Sequence, residues 1–306
     1  MLKLLQISRP QFLISGFVLF IFGACWALLQ DAPFSLARLL LGFLVIVPAY
    51  LSVSYSNDYF DVEVDKFGKP TLFSGGSGVL VENPELREPA RLVAIGLTLC
   101  SLLLAVVFQT LYSYPWWFLG LVLLGNLSTW SYSAPPLKLV YRGLGEFSTI
   151  ATAGFLLPMM GYLVMMGSFD GDTLLFAAPL LLYATAFTLT AEIPDQEVDR
   201  LGGKHTWVAR RGRGFGFALV GIATLLATLF FAGFPFFVSH AWPVDFGVLA
   251  FLSLLPLVVG MFALVKRSAE RQTATKLVGA IMTSLGLFCT LADGYLAYMV
   301  FHLGVP

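Results

Sequence analysis

Charge is what this sequence has least of. Only 12% of its 306 residues are Asp, Glu, Lys or Arg, about half the share of an ordinary soluble domain. The 18 bases and 18 acids balance, so nothing in the composition points to a nucleic-acid partner. The three cysteines (Cys25, Cys100 and Cys289) lie in apolar runs without CxxC spacing. That excludes a zinc ribbon or a redox dithiol and leaves them as small hydrophobes. There are three histidines, and of these only His205 stands near an acidic motif, where it reads as a solvated loop residue. What fills the chain is apolar: 58% hydrophobic residues and a mean hydropathy of +0.83 place it in a membrane.

A membrane span takes roughly 20 mostly apolar residues. Nine candidates follow, at 11–29, 37–56, 91–111, 116–134, 147–167, 173–193, 214–234, 245–265 and 277–300. They are expected to be helices, because backbone groups in lipid must be satisfied within their own segment. The fold class is therefore all-α, a polytopic nine-helix bundle forming one domain over 1–306. The N-terminal apolar run has no small-residue cleavage site and reads as a retained first span, not a signal peptide. Of the 18 Lys and Arg, 17 fall in the N-terminus and in the connections after spans 2, 4, 6 and 8; Arg38 is the exception. Positive residues stay inside, so the expected topology is a cell-membrane protein with its N-terminus cytoplasmic and its C-terminus outside.

The two longest cytoplasmic connections, 57–90 and 194–213, hold most of the acids. The first opens with Asn57-Asp58-Tyr59-Phe60-Asp61-Val62-Glu63-Val64-Asp65. Asn57, Asp61 and Asp65 are spaced four apart, so a helix places them on one face, with Asp58 beside them. The second holds Asp195-Gln196-Glu197-Val198-Asp199, again with carboxylates four apart. After each DxxxD come a basic residue, an apolar residue, glycine and a lysine: Lys66-Phe67-Gly68-Lys69 and Arg200-Leu201-Gly202-Gly203-Lys204. An internal duplication would explain the echo, although no wider repeat is visible. One acidic run at a membrane edge is ordinarily a solvated helix end. Two matched runs on one side, each with cations, fit a magnesium–diphosphate cradle, since magnesium prefers hard oxygens and shares its shell with phosphates.

A third segment, Tyr132-Ser133-Ala134-Pro135-Pro136-Leu137-Lys138-Leu139-Val140-Tyr141-Arg142-Gly143, follows span 4. Lys138 and Arg142 suit either phosphate oxygens or plain positive-inside anchoring. Arg9, before Pro10, is open to the same two readings.

At these residues the chain resembles the UbiA superfamily of intramembrane prenyltransferases. NDxxDxxxD matches Asn57 to Asp65, the second DxxxD matches Asp195 to Asp199, and YSxPPLKL…RG matches Tyr132 to Gly143. The resemblance spans essentially the whole chain. It implies a helical bundle around a central cavity and transfer of a prenyl chain from an isoprenyl diphosphate to an acceptor, usually an aromatic ring. It implies a catalytic set of Asp61, Asp65, Asp195 and Asp199. Magnesium ligands would come from Asn57, Asp58, Asp61, Asp65, Asp195 and Asp199. Diphosphate contacts would come from Asn57, Lys138, Arg142, Arg9, Lys204 and Tyr132. Many members carry Arg-Pro-x-x-x-Gly after the first motif. Here Lys69-Pro70-Thr71-Leu72-Phe73-Ser74-Gly75-Gly76-Ser77-Gly78-Val79-Leu80 looks more like the dihydroxynaphthoate, menaquinone-type branch. A benzoate-type ring and a glycerol-phosphate lipid remain as other acceptors.

In such a reaction the C1–O bond breaks to an allylic cation, water must be kept out, and aromatic faces stabilise the cation. The base that takes the ring proton is not evident. Asp293 is the acid inside a span, but it lies toward the outer half and reads as a packing or polar cavity contact. A transporter would scatter ionisable groups through its spans, whereas here they gather at one face. A lipid-diphosphate phosphatase would ordinarily need a working His. Nothing points to an obligate protein partner.

Overall fold

The computed structural model describes residues 2–68, 71, 75–169, 171–237 and 242–303. Lys69, which completes the first echo, residues 72–74 and part of the 239–245 connection lie outside the described residues. The described chain is helical, in chain order α1 (Leu2–Ile7), α2 (Pro10–Leu28), α3 (Leu36–Asp65), α4 (Val79–Glu82), α5 (Arg87–Tyr112), α6 (Trp117–Ser133), α7 (Gly145–Ala151), α8 (Leu157–Met166), α9 (Gly171–Glu192), α10 (Gln196–Leu201), α11 (Trp207–Arg211), α12 (Arg213–Gly233), α13 (Phe246–Lys266) and α14 (Arg271–His302). Seven helical runs are long and apolar enough to cross a membrane: Leu36–Asp65, Pro84–Tyr112, Gly145–Met166, Thr173–Leu201, Arg213–Phe236, Phe246–Lys266 and Arg271–His302. The other two expected spans, 11–29 and 116–134, are the shorter helices α2, of 19 residues, and α6, of 17 residues. Leucines such as Leu99 and Leu103 point outward, more than half exposed, as a lipid-facing surface requires.

Lipid gives helices no hydrophobic reason to associate, so close backbone approach and buried hydrogen bonds must hold them together. Both are present. Where α2 crosses α8, a Cβ on Gly23 would sit 1.7 Å from the Pro158 carbonyl oxygen, and one on Gly161 would sit 1.8 Å from that of Phe20. Only glycine fits there. Between α3, α5 and α6, Ser101 Oγ donates to the Val45 carbonyl at 2.8 Å, and Asn126 Nδ2 donates to Ser101 Oγ at 3.2 Å.

The two ends of the bundle differ. At one end Trp26, fully buried, stacks on Phe176 with ring centroids 3.5 Å apart, and Phe234 stacks on Phe246 at 4.2 Å. Trp242 stacks on the other side of Trp26. This aromatic packing closes that end. At the other end α3 and α9 carry the acidic motifs to the mouth of a central cavity. A π-helical turn over Thr152–Leu156, between α7 and α8, lines part of its wall.

Candidate active site at the aspartate-bearing end

The first motif lies wholly on α3, whose 30 residues run unbroken to Asp65. Helical spacing turns Asp58, Asp61 and Asp65 toward one cavity of about 310 Å³, which Asn57 also lines. Asp61 is the most heavily held. It accepts from Ser133 Oγ at 2.7 Å and Tyr141 Oη at 2.8 Å, and it forms an ion pair with Lys204 Nζ at 2.9 Å. Asp58 accepts from the Ser77 N–H and from the Ser77 hydroxyl. Asp65 takes a backbone hydrogen bond from Gly76, and a Cβ on Gly76 would stand 2.0 Å from its Oδ2. The glycine-serine run is therefore glycine-rich for close approach to the carboxylates.

The second motif is built differently. Its spacing predicts carboxylates on one helical face, yet α9 stops at Glu192 and Ile193–Asp195 forms a 3₁₀ turn before α10 begins. Pro194 is the cause, since it has no N–H and its ring clashes with the preceding turn. Asp195 falls at this break and Asp199 on α10; both line the cavity. Asp199 accepts from Thr206 Oγ1 at 3.1 Å. Arg213 ties the turn down. Its Nε donates to the Ile193 carbonyl at 3.0 Å, and its Nη1 donates to Glu197 at 2.6 Å and to the Ala269 carbonyl at 3.0 Å.

The two motifs touch reciprocally. A Cβ on Gly202 would lie 2.3 Å from Val64 Cγ1, and one on Gly68 would lie 2.6 Å from Val198 Cγ2. Val64 precedes Asp65 as Val198 precedes Asp199, and the two glycines hold matching places in the echo. The repeat seen in sequence is thus a local pseudo-two-fold contact, valine into glycine in both directions.

Among the described residues two cations line the cavity, Arg9 and Lys204. Arg9 has a left-handed backbone, with φ of 47°, and donates to the Gly75 carbonyl. Burial lowers its pKa, while Asp58, Asp195 and Asp65 act in the opposite direction. Burial alone would also depress Lys204, but Asp61 and Asp199 outweigh it and hold the ammonium above its ordinary range. Tyr141 is likewise raised, by burial and by Asp61, so it stays a donor. Tyr132 lines the wall as expected.

Lys138 and Arg142 do not line the cavity. Both are exposed; Lys138 lies over the Tyr141 ring and Arg142 donates to the Pro136 carbonyl. Their segment contributes Ser133 and Tyr141 instead, and it is linked to the second motif by the His205 N–H donating to the Val140 carbonyl. His205 is exposed, as its loop position suggests. Asp293 sits on α14 with Oδ1 lacking a partner, within electrostatic reach of Cys25 and Cys289 and away from the cavity lining.

Sequence reasoning also passed over two acids. Glu192 lies inside the expected sixth span and lines the cavity, and Glu146, on α7, is 1% exposed. The spans are therefore not free of charge apart from Asp293. The signal was present, because an acid within an apolar run is functional by default.

Among the described residues no three Asp, Glu, His or Cys side chains converge into a ready-made metal cage. Asn57 Oδ1 is nevertheless buried without a partner, beside carboxylates from two motifs. Such a donor set fits a hard cation that completes its shell with ligand oxygens and water.

Comparisons with known proteins bear on the family and the fold. Residues 17–285 match the UbiA prenyltransferase family. The chain is 24% identical, over 240 residues, to the 1,4-dihydroxy-2-naphthoate octaprenyltransferase of Bacillus subtilis (strain 168), covering 78% of this chain and 71% of that one. Its fold is similar to a UbiA homologue from Archaeoglobus fulgidus bound to GPP and Mg2+ (TM-score 0.71, 17% identity, 97% of this chain and 99% of that one). It is also similar to a digeranylgeranylglyceryl phosphate synthase (TM-score 0.65, 16% identity, 96% and 97%). The chain belongs to the UbiA prenyltransferase family and is a multi-pass membrane prenyltransferase.

Proposed function

We propose that the protein transfers a prenyl chain from an isoprenyl diphosphate, bound with magnesium at the aspartate-bearing end, to a hydroxylated aromatic acceptor of the dihydroxynaphthoate type. The observation that carries this reading is a cavity whose lining combines a cluster of charged groups with apolar and aromatic side chains. Asp58, Asp61, Asp65, Asp195, Asp199, Arg9 and Lys204 supply the charge, and Phe12, Tyr50, Leu157 and Phe187 supply apolar surface. An amphiphile with a diphosphate head and a hydrocarbon tail fits that polarity. The curated relative that acts on 1,4-dihydroxy-2-naphthoate and the Gly75-Gly76-Ser77-Gly78 run support the acceptor class. The 17 inward bases support an orientation with this end in the cytoplasm.

Asn57, Asp61, Asp65, Asp195 and Asp199 would hold magnesium, with Asp58 beside them. Bound there, magnesium supplies positive charge to the diphosphate oxygens. Arg9 and Lys204 stabilise the charge that develops on the leaving diphosphate, and they do so in a water-poor site where such contacts are strong. Phe12, Tyr50, Tyr132 and Phe187 can face the allylic cation. A smaller cavity of about 60 Å³ shares Tyr50, Thr129, Thr152 and Leu157 with the first and extends the room for the tail.

Purified protein in detergent, given radiolabelled geranylgeranyl diphosphate, magnesium and a panel of acceptors, tests this reading. Transfer to a dihydroxynaphthoate is expected. Asp61→Ala and Asp195→Ala should each lower it by about 100-fold or more. Transfer to a glycerol-phosphate lipid alone would reject the aromatic acceptor. Diphosphate binding indifferent to both substitutions would reject the cradle.

A further inference from the structure

The mechanism above leaves one proton without a destination, the one the acceptor loses when its ring is prenylated. The cavity wall carries a place for it. Thr129, Ser148, Thr149, Thr188 and Glu192 line the cavity together, and Glu192 stands one helical turn before Asp195 on the α9 side.

The hydroxyls on this wall have already spent their protons. Thr129 Oγ1 donates to the Asn126 carbonyl at 2.8 Å, Thr149 to that of Gly145 at 3.3 Å, Thr188 to that of Ala184 at 2.8 Å, and Ser148 to that of Ser128 at 3.1 Å. What they offer a ligand is lone pairs. Glu192 offers the same. It is 8% exposed; the Val208 N–H donates to it, and the Glu146 carboxyl lies beside it. Glu146 accepts from the Trp207 N–H. The remaining oxygens, Glu192 Oε2 and Glu146 Oε2, are buried and receive no other donor. Two buried carboxyl groups side by side hold one proton between them, because like charges this close do not both ionise. Neither forms an ion pair among the described residues. This wall therefore repels a diphosphate and accepts a hydroxyl.

Resting on the aromatic reading above, we propose that Glu192 receives the O–H of the acceptor ring and takes its proton during transfer, with Glu146 as the positioning residue behind it. The C1–O bond of the prenyl diphosphate breaks and its electron pair leaves with the diphosphate. A ring carbon supplies the pair for the new C–C bond to C1. With the proton of the pair on Glu146, Glu192 is the carboxylate; as the new bond forms, it takes the hydroxyl proton, leaving a neutral dienone and two neutral acids. The proton on the attacked carbon then moves to the oxygen and restores the aromatic ring. The ligand class is thus a ring with a free hydroxyl, and an ether in its place has no proton to give.

The test uses the full chain in detergent with dihydroxynaphthoate, its O-methyl ethers and geranylgeranyl diphosphate. Glu192→Gln should bind geranylgeranyl diphosphate with magnesium as the wild type does, but transfer about 100-fold more slowly. Glu146→Gln should raise the acceptor KM more than it lowers kcat. For the wild type, methylating the hydroxyl should abolish use of the acceptor, a measurement that does not depend on either variant folding. Wild-type rates in Glu192→Gln, or equal use of the ether, would overturn the proposal. So would loss of diphosphate binding in Glu192→Gln, which would assign that carboxyl to the head group. A wild-type chain that transfers to no hydroxylated ring would instead remove the aromatic reading on which the proposal rests.

Discussion

The two aspartate motifs are nearly the same in sequence and unlike in construction. The first is the end of one long unbroken helix, α3, and its carboxylates are fixed by partners from elsewhere: Ser77, Ser133 and Tyr141. The second lies across a proline break, and its backbone is pinned by Arg213. A shared spacing therefore does not imply a shared means of support. The first motif is rigid because its helix is continuous, the second because its discontinuity is clamped. They meet through the reciprocal Val64–Gly202 and Val198–Gly68 contacts, and Lys204 spans them by pairing with Asp61 while sitting close to Asp199.

Removing the link should have the largest effect. Lys204→Met leaves Asp61 with one partner fewer in a buried setting, and losing half of such a pair costs about 3–5 kcal/mol. The expected outcome is a lower melting temperature in detergent and a loss of transfer of about 100-fold. Unchanged melting would mean that the motifs do not depend on this bridge. The reciprocal contact gives a middle effect and a symmetry test. Gly68→Ala and Gly202→Ala should each cost about 1–3 kcal/mol through overpacking, in similar amounts, because each meets a valine methyl. A large effect in one and none in the other would show that the pseudo-two-fold contact is not shared evenly. An effect of similar size but narrower reach is expected from Arg213→Ala. It strips hydrogen bonds from two backbone carbonyls and the partner from Glu197, at about 1–3 kcal/mol. Hydrogen exchange should quicken around 193–199 and stay unchanged around 57–65. Equal loosening of both motifs would deny that they are supported independently.

Much of this was legible in the residues. Long apolar runs dictate helices in a membrane, and among the described residues seven of the nine expected segments fall on helical runs long and apolar enough to cross one, while α2 and α6 are shorter. The four-residue spacing of Asn57, Asp61 and Asp65 predicts a shared face, and α3 supplies it. Lys204 was visible as the end of an echo. What failed was inference from charge alone. Lys138 and Arg142 look like phosphate ligands because they are basic and near the motifs, but the turn after the tandem prolines carries them out to solvent. Ser133 and Tyr141 from the same segment do the work at Asp61, and nothing about a serine and a tyrosine in a run of twelve residues singles them out. Glu192 was hidden by the hydrophobicity around it, and its link to Glu146 depends on folding that brings α7 against α9.

Lys204 has a bearing on how the protein lives when empty. Domains organised by a bound metal often cannot fold without it, because the ligands repel one another until the ion arrives. Here the chain brings its own cation to the point of greatest repulsion and keeps it charged. Part of the repulsion in the apo protein is thereby already relieved. Chelation should silence the enzyme without unfolding it, and the metal's binding energy is left free for recognising its ligand instead of assembling the scaffold.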